Sequence, residues 1–119
     1  MNILGYYSAL AAYTQCAEWH DALCQYLTEN RNFMVDYIDS QLPSLKVTCP
    51  EATYLGWIDC AEAGIDGNPQ EFFVENAKVA FSDGPAFGKG GENFVRINYG
   101  CPRATLEEGL GRIKAALEA

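Results

Sequence analysis

The stretch GENFVRINYG, residues 91–100, decides how this chain is read. At period two, Val95, Ile97 and Tyr99 share one face of a strand, and Phe94, Arg96 and Asn98 share the other. The first set suits a core. The second directs a guanidinium either to water or to a partner of negative charge. Pattern alone leaves both open, and a lone strand arginine is more often solvated or in a structural ion pair.

Working outward, Cys101-Pro102 ends the strand. Thr105 and Glu108 have the spacing of a capping box before the helix LEEGLGRIKAALEA, whose apolar stripe is Leu106, Leu110, Ile113 and Leu117. Glu107 and Glu108 read as first-turn acids that suit the helix dipole rather than as a catalytic pair. Upstream, FSDGPAFGKGGEN reads as a loop, with four glycines from Gly84 to Gly91. It lacks the spacing of a phosphate loop and leads into a strand, not a helix. Asn68-Pro69-Gln70-Glu71 opens a helix that continues through EFFVENAKVA, with Asn68 as cap and Glu71 placed to reach back. LKVTC and TYLGWID are strand candidates joined by a turn at Cys49-Pro50-Glu51.

Two helices come first. AEWHDALCQYLTENRNFMVDYIDSQL places Trp19, Leu23, Tyr26, Leu27, Phe33, Met34, Tyr37, Ile38 and Leu42 at threes and fours, an aromatic-rich stripe that reads as core. Asp36 and Asp39 fall on its solvent face, and Pro43 marks its end. The preceding MNILGYYSALAAYTQ carries no charge and shows hardly any polar face. Such a helix is either central or meets a partner surface. The order ααββαβα predicts one α+β domain over 1–119, a two-layer sandwich of a small sheet covered by helices.

Composition narrows the function. The chain has 119 residues and a formal charge of −8, with 16 acids against 8 bases. That argues against binding nucleic acid or an anionic membrane. Five cysteines without CxxC spacing and a single histidine, His20, point away from a zinc site or a disulfide framework. The cysteines read as small apolar fillers, reduced in a cytoplasmic setting. The start lacks the basic region of a signal peptide, and no apolar run is long enough to span a bilayer. His20 has no recognisable nucleophile setting around it.

Three motifs carry a resemblance: TYLGWID, the AKVAFSDGPAFGKGGENFVRINYGCPR run, and the TLEEGLGRIKAAL helix. Together they resemble the C-terminal part of fold-type I pyridoxal-phosphate enzymes, more narrowly the MalY/PatB-type C–S lyases (cystathionine β-lyases) of the class I/II aminotransferase family. The leading NILGYYSALAAYTQCAEWHDALCQYLTENRNF is similar to that family's helical passage between domains, with 1–16 as the interdomain helix. The resemblance implies that Arg96 binds the α-carboxylate of an amino-acid substrate, with Tyr54 and the Gly84–Gly91 loop near the cleft. Lys89 and Asn93 depart from the family's loop pattern.

The resemblance also implies a Schiff-base lysine, a phosphate cup and a pyridine-nitrogen partner on a large domain that would precede residue 1. Lys46, Lys78, Lys89 and Lys114 match none of the family's motifs. The expectation is therefore a small domain that is not catalytic alone, has no catalytic, cofactor-binding or metal residue of its own, and binds no cofactor as a fragment. The full-length enzyme would be a homodimer that uses pyridoxal phosphate for β-elimination or transamination. The competing expectation is a stand-alone domain that binds a carboxylate ligand or a protein.

Overall fold

The structure is a computed structural model and describes residues 2–119. Helix α1 (Ile3–Gln15) starts where the Asn2 side chain accepts the Gly5 N–H at 2.7 Å. Helix α2 (Ala17–Gln41) follows a break at Cys16 and stops before Pro43, whose ring disfavours helical backbone in the residue ahead of it. Then come β1 (Lys46–Val47), β2 (Leu55–Asp59), α3 (Pro69–Phe72), β3 (Ser82–Asp83), β4 (Phe94–Asn98) and α4 (Arg103–Leu117).

The four strands form one antiparallel sheet in the order β1-β2-β4-β3. One face carries Ile58, Val95 and Ile97, and it packs with Tyr99 on Met34, Ile38 and Leu42 of α2 and Leu106, Leu110 and Ile113 of α4. Phe73 and Phe81 meet edge-on at 5.3 Å and close the same core. Against the other face lies the short Gly84–Phe87 turn, through Phe87. The two-layer α+β reading of the sequence holds, as does the division of β4 into a buried and an open face.

The layers are locked by a residue that the sequence pattern does not advertise. Asn30 of α2 is fully buried and donates to the carbonyls of Tyr99 and Cys101 at 3.1 and 2.8 Å. Its oxygen accepts the Arg103 Nε–H at 2.9 Å. One amide thus ties the β4–α4 corner to α2.

Six expectations need correction. Ser82–Asp83 is a strand where a loop was expected, so the order is ααββαββα. Its two residues are too few for alternation to register, and it exists because β4 offers an open edge. The helix from Pro69 widens into a π-turn over Phe73–Ala77 and stops at Lys78, whose φ of 55° is left-handed. Helix α4 begins at Arg103 behind Pro102, which puts Thr105 inside the first turn and leaves no capping box. Glu107 and Glu108 consequently lie in the second turn, and Glu108 pairs with Arg112 instead. Finally, only the C-terminal half of the α2 stripe is core, since Trp19 and Tyr26 are exposed; Cys24 and Cys49 are exposed as well, and only Cys60 is a buried filler.

Helix α1 buries none of its residues. The radius of gyration is 17.0 Å, against about 13.5 Å for a compact domain of this length. The accessible surface is 7820 Å², where a compact monomer of this mass exposes about 6,400 Å². The excess surface is apolar on α1, where Ile3, Leu4, Tyr6, Tyr7, Leu10 and Tyr13 are all exposed.

Candidate carboxylate site

Arg96 stands at the centre of the open face. The register sets Trp57 of β2 opposite it on one side and Ser82 of β3 on the other. Its Nη2 donates to Ser82 Oγ at 3.2 Å. The Phe87 ring lies with its centroid 4.5 Å from Cζ, within cation–π range. Trp57 meets Phe87 edge-on at 5.5 Å and stacks on Phe94 at 5.3 Å. The guanidinium is thereby held on a rigid strand between aromatic side chains, a mount suited to a fixed fork.

The electrostatics single this arginine out. Among the described residues no carboxylate is within ion-pair distance of Arg96. Arg31 and Arg103 also lack one, but Arg31 donates to Asn32 Oδ1 and the Pro50 carbonyl, and Arg103 donates to Asn30. Arg112 is paired with Glu108. The Nε of Arg96, by contrast, is buried and has no hydrogen-bond partner, alone among the described side-chain polar atoms. Buried polar groups are nearly always satisfied, so an orphaned N–H on a cation marks a place for an acceptor.

Other residues named from sequence lie elsewhere. Tyr54 is 48% exposed just ahead of β2 and accepts the Tyr99 N–H on its carbonyl. Phe87 belongs to the Gly84–Phe87 turn of the glycine loop and so brings that loop to Arg96. His20 has Nε2 3.6 Å from Cys24 Sγ and Nδ1 3.5 Å from Asp21, all on the exposed side of α2. Burial pushes the Cys60 thiol up to about 12 and raises the thiol of Cys101 and the phenol of Tyr99. The residues missed from sequence are Trp57, Ser82 and Phe87. Their alternation and composition were visible, but which strand lies beside which was not.

The residues present do not fit a pyridoxal-phosphate site on their own. Lys46 pairs with Glu62 at 2.6 Å, Lys78 donates to the Glu75 carbonyl and Lys114 to Gln41. Lys89 lies exposed in the loop beyond Phe87. No group of three or more His, Cys, Asp or Glu that could hold a metal occurs among the described residues.

No family model matches the chain. Protein MalY of Escherichia coli is 39% identical over 119 residues, which span 99% of this chain and 30% of that protein. Cystathionine β-lyase PatB of Bacillus subtilis is 41% identical over 108 residues, 90% of this chain and 28% of that one. The chain belongs to the MalY/PatB-type family and corresponds to its small C-terminal part. It spans about 30% of the length of these relatives. The crystal structure of cystalysin from Treponema denticola, which contains a pyridoxal 5′-phosphate cofactor, superposes with a TM-score of 0.91 at 32% identity, covering 98% of this chain and 30% of that one. More distant relatives of this chain include aminotransferases.

Proposed function

We propose that this MalY/PatB-type chain is the substrate-carboxylate half of a pyridoxal-phosphate-dependent enzyme acting on amino acids, with carbon–sulfur bond cleavage at Cβ as the reaction. The unpartnered, buried Nε of Arg96 at the centre of the open sheet face carries the reading. A carboxylate on Arg96 fixes one end of an amino acid, and orientation of that kind lowers the barrier to reaction at the neighbouring carbon. The chemistry at Cα belongs to cofactor-binding residues outside this chain. The full reaction on a cysteine- or cystathionine-type substrate yields a thiol, pyruvate and ammonia. Transamination is the nearest other chemistry, and the same clamp serves both because both act at Cα.

The exposed apolar surface of α1 supports a role as the interdomain helix over residues 1–16, covered by a large cofactor-binding domain. Five free cysteines suit a reducing, cytoplasmic setting, and the complete enzyme would be a homodimer. No helix among the described residues is long and apolar enough to cross a membrane. Tyr54, just ahead of β2, is a lesser part of the reading. A stand-alone domain that binds a carboxylate ligand or a protein partner is the second reading, and the unpartnered Arg96 Nε would serve it equally.

In the complete enzyme, Arg96→Lys should raise KM for amino acids at least ~10-fold, because a lysine cannot reproduce the fork. Steady-state kinetics with a cysteine-type substrate test this. An unchanged kcat/KM removes the carboxylate role.

A further inference from the structure

The aromatic side chains beside the Arg96 guanidinium are Trp57 and Phe87, and they are anchored differently. Trp57 is fixed in β2 and stacked on Phe94. Phe87 is 52% exposed and belongs to no core cluster.

The loop that carries Phe87 is tight at its base and empty around its tip. A Cβ on Gly84 would stand 2.1 Å from the Gly91 carbonyl oxygen, and one on Gly91 2.3 Å from the Gly84 oxygen. Only glycine at both positions lets the two backbones meet so closely. Past Phe87 the surroundings open. Gly88 and Gly90 have φ of 118° and 92°, and a Cβ on either would meet nothing within 4 Å. The tip can therefore change course without disturbing the β3–β4 pairing.

We propose that Phe87 is a gate on Arg96. In the closed arrangement seen here the ring lies on the guanidinium, and a carboxylate reaches Nε as the exposed Phe87 side chain turns away into the open space beside Gly88 and Gly90. This rests on the carboxylate reading of Arg96. Ser82 holds Nη2 in place during the movement, so Phe87 acts through the arginine as a positioning residue. The magnitudes suit a gate. A ring on a partly exposed cation contributes about a two- to fivefold bias, whereas a charge-assisted pair of hydrogen bonds is stronger and displaces it.

The test is ¹H–¹⁵N NMR of the 119-residue chain, with the Arg96 Nε–H signal assigned by its loss in Arg96→Lys. Sodium acetate is the probe, and sodium chloride at equal ionic strength is the control. Phe87→Leu and Phe87→Ala should both respond to acetate at about two- to fivefold lower concentration than the unaltered chain. Their Nε–H should exchange with water faster, and Phe87→Tyr should restore both properties. Unchanged backbone amide signals outside the loop establish that the fold is intact. If the leucine and alanine variants respond to acetate equally or more weakly, the gate is wrong and the carboxylate reading stands. If acetate moves the Arg96 signal in none of the proteins, both fall.

Discussion

Asn30 lies in a polar run of the sequence and Arg96 in an apolar one, and their neighbours in the fold satisfy them differently. Asn30 has its amide hydrogen-bonded on both sides and is structural. Arg96 keeps one N–H unanswered, the observation behind its proposed carboxylate role. Nothing in TENRNF marks Asn30 as buried, because a polar residue enters a core only where specific carbonyls wait for it. Cys60 supports a prediction at the same scale. Burial raises its thiol from 9.0 to about 12, with the Asp59 charge adding to the effect. The folded state therefore holds that proton longer than the unfolded chain does. The contribution is complete below pH 9 and is lost as pH rises toward 12. Urea unfolding across that window should show stability falling, with Cys60 adding up to about 1.4 kcal/mol per pH unit. Cys60→Ala should lack that part of the slope, and identical slopes in the two proteins would refute the assignment.

Among the elements, the helix starts separate what local chemistry settles from what it does not. Asn68 caps α3 as its sequence implies, accepting the N–H groups of Gln70 and Glu71 at 2.7 and 3.2 Å. Its Nδ2 also donates to Asp83 at 3.0 Å, which ties the helix to β3. Thr105 has equally good capping spacing, but the chain enters α4 two residues earlier behind Pro102. Asn68→Ala should cost about 1 kcal/mol or more, and Thr105→Ala should stay within about 0.5 kcal/mol of the parent. Chemical denaturation of the two variants decides it, and equal losses would mean that the Thr105 box forms in solution. Strand β3 shows the same limit. Two residues carry no periodicity, and their pairing with β4 is a non-local event.

Over the whole molecule, the charge-free first helix stands apart: α1 projects from a molecule 50 Å long with its apolar side chains uncovered. Because that face supports none of the core, replacing Leu4 and Tyr7 together by Glu should cut binding of a hydrophobic dye markedly. The urea midpoint should barely move. A loss of several kcal/mol would show that α1 packs against this domain after all.

The sequence by itself determined the α+β class, the long helix, and the face of β4 from which Arg96 projects. These follow from the pitch of helices and the alternation of strands, which are properties of neighbouring residues. Its motifs also carried the family resemblance, and with it the expectation of a carboxylate role for Arg96. Only the tertiary structure decided that Trp57, Ser82 and Phe87 surround that arginine and that its Nε has no partner. Strand order and register depend on how separate segments bury a common core, and no local pattern records which segment ends up beside which.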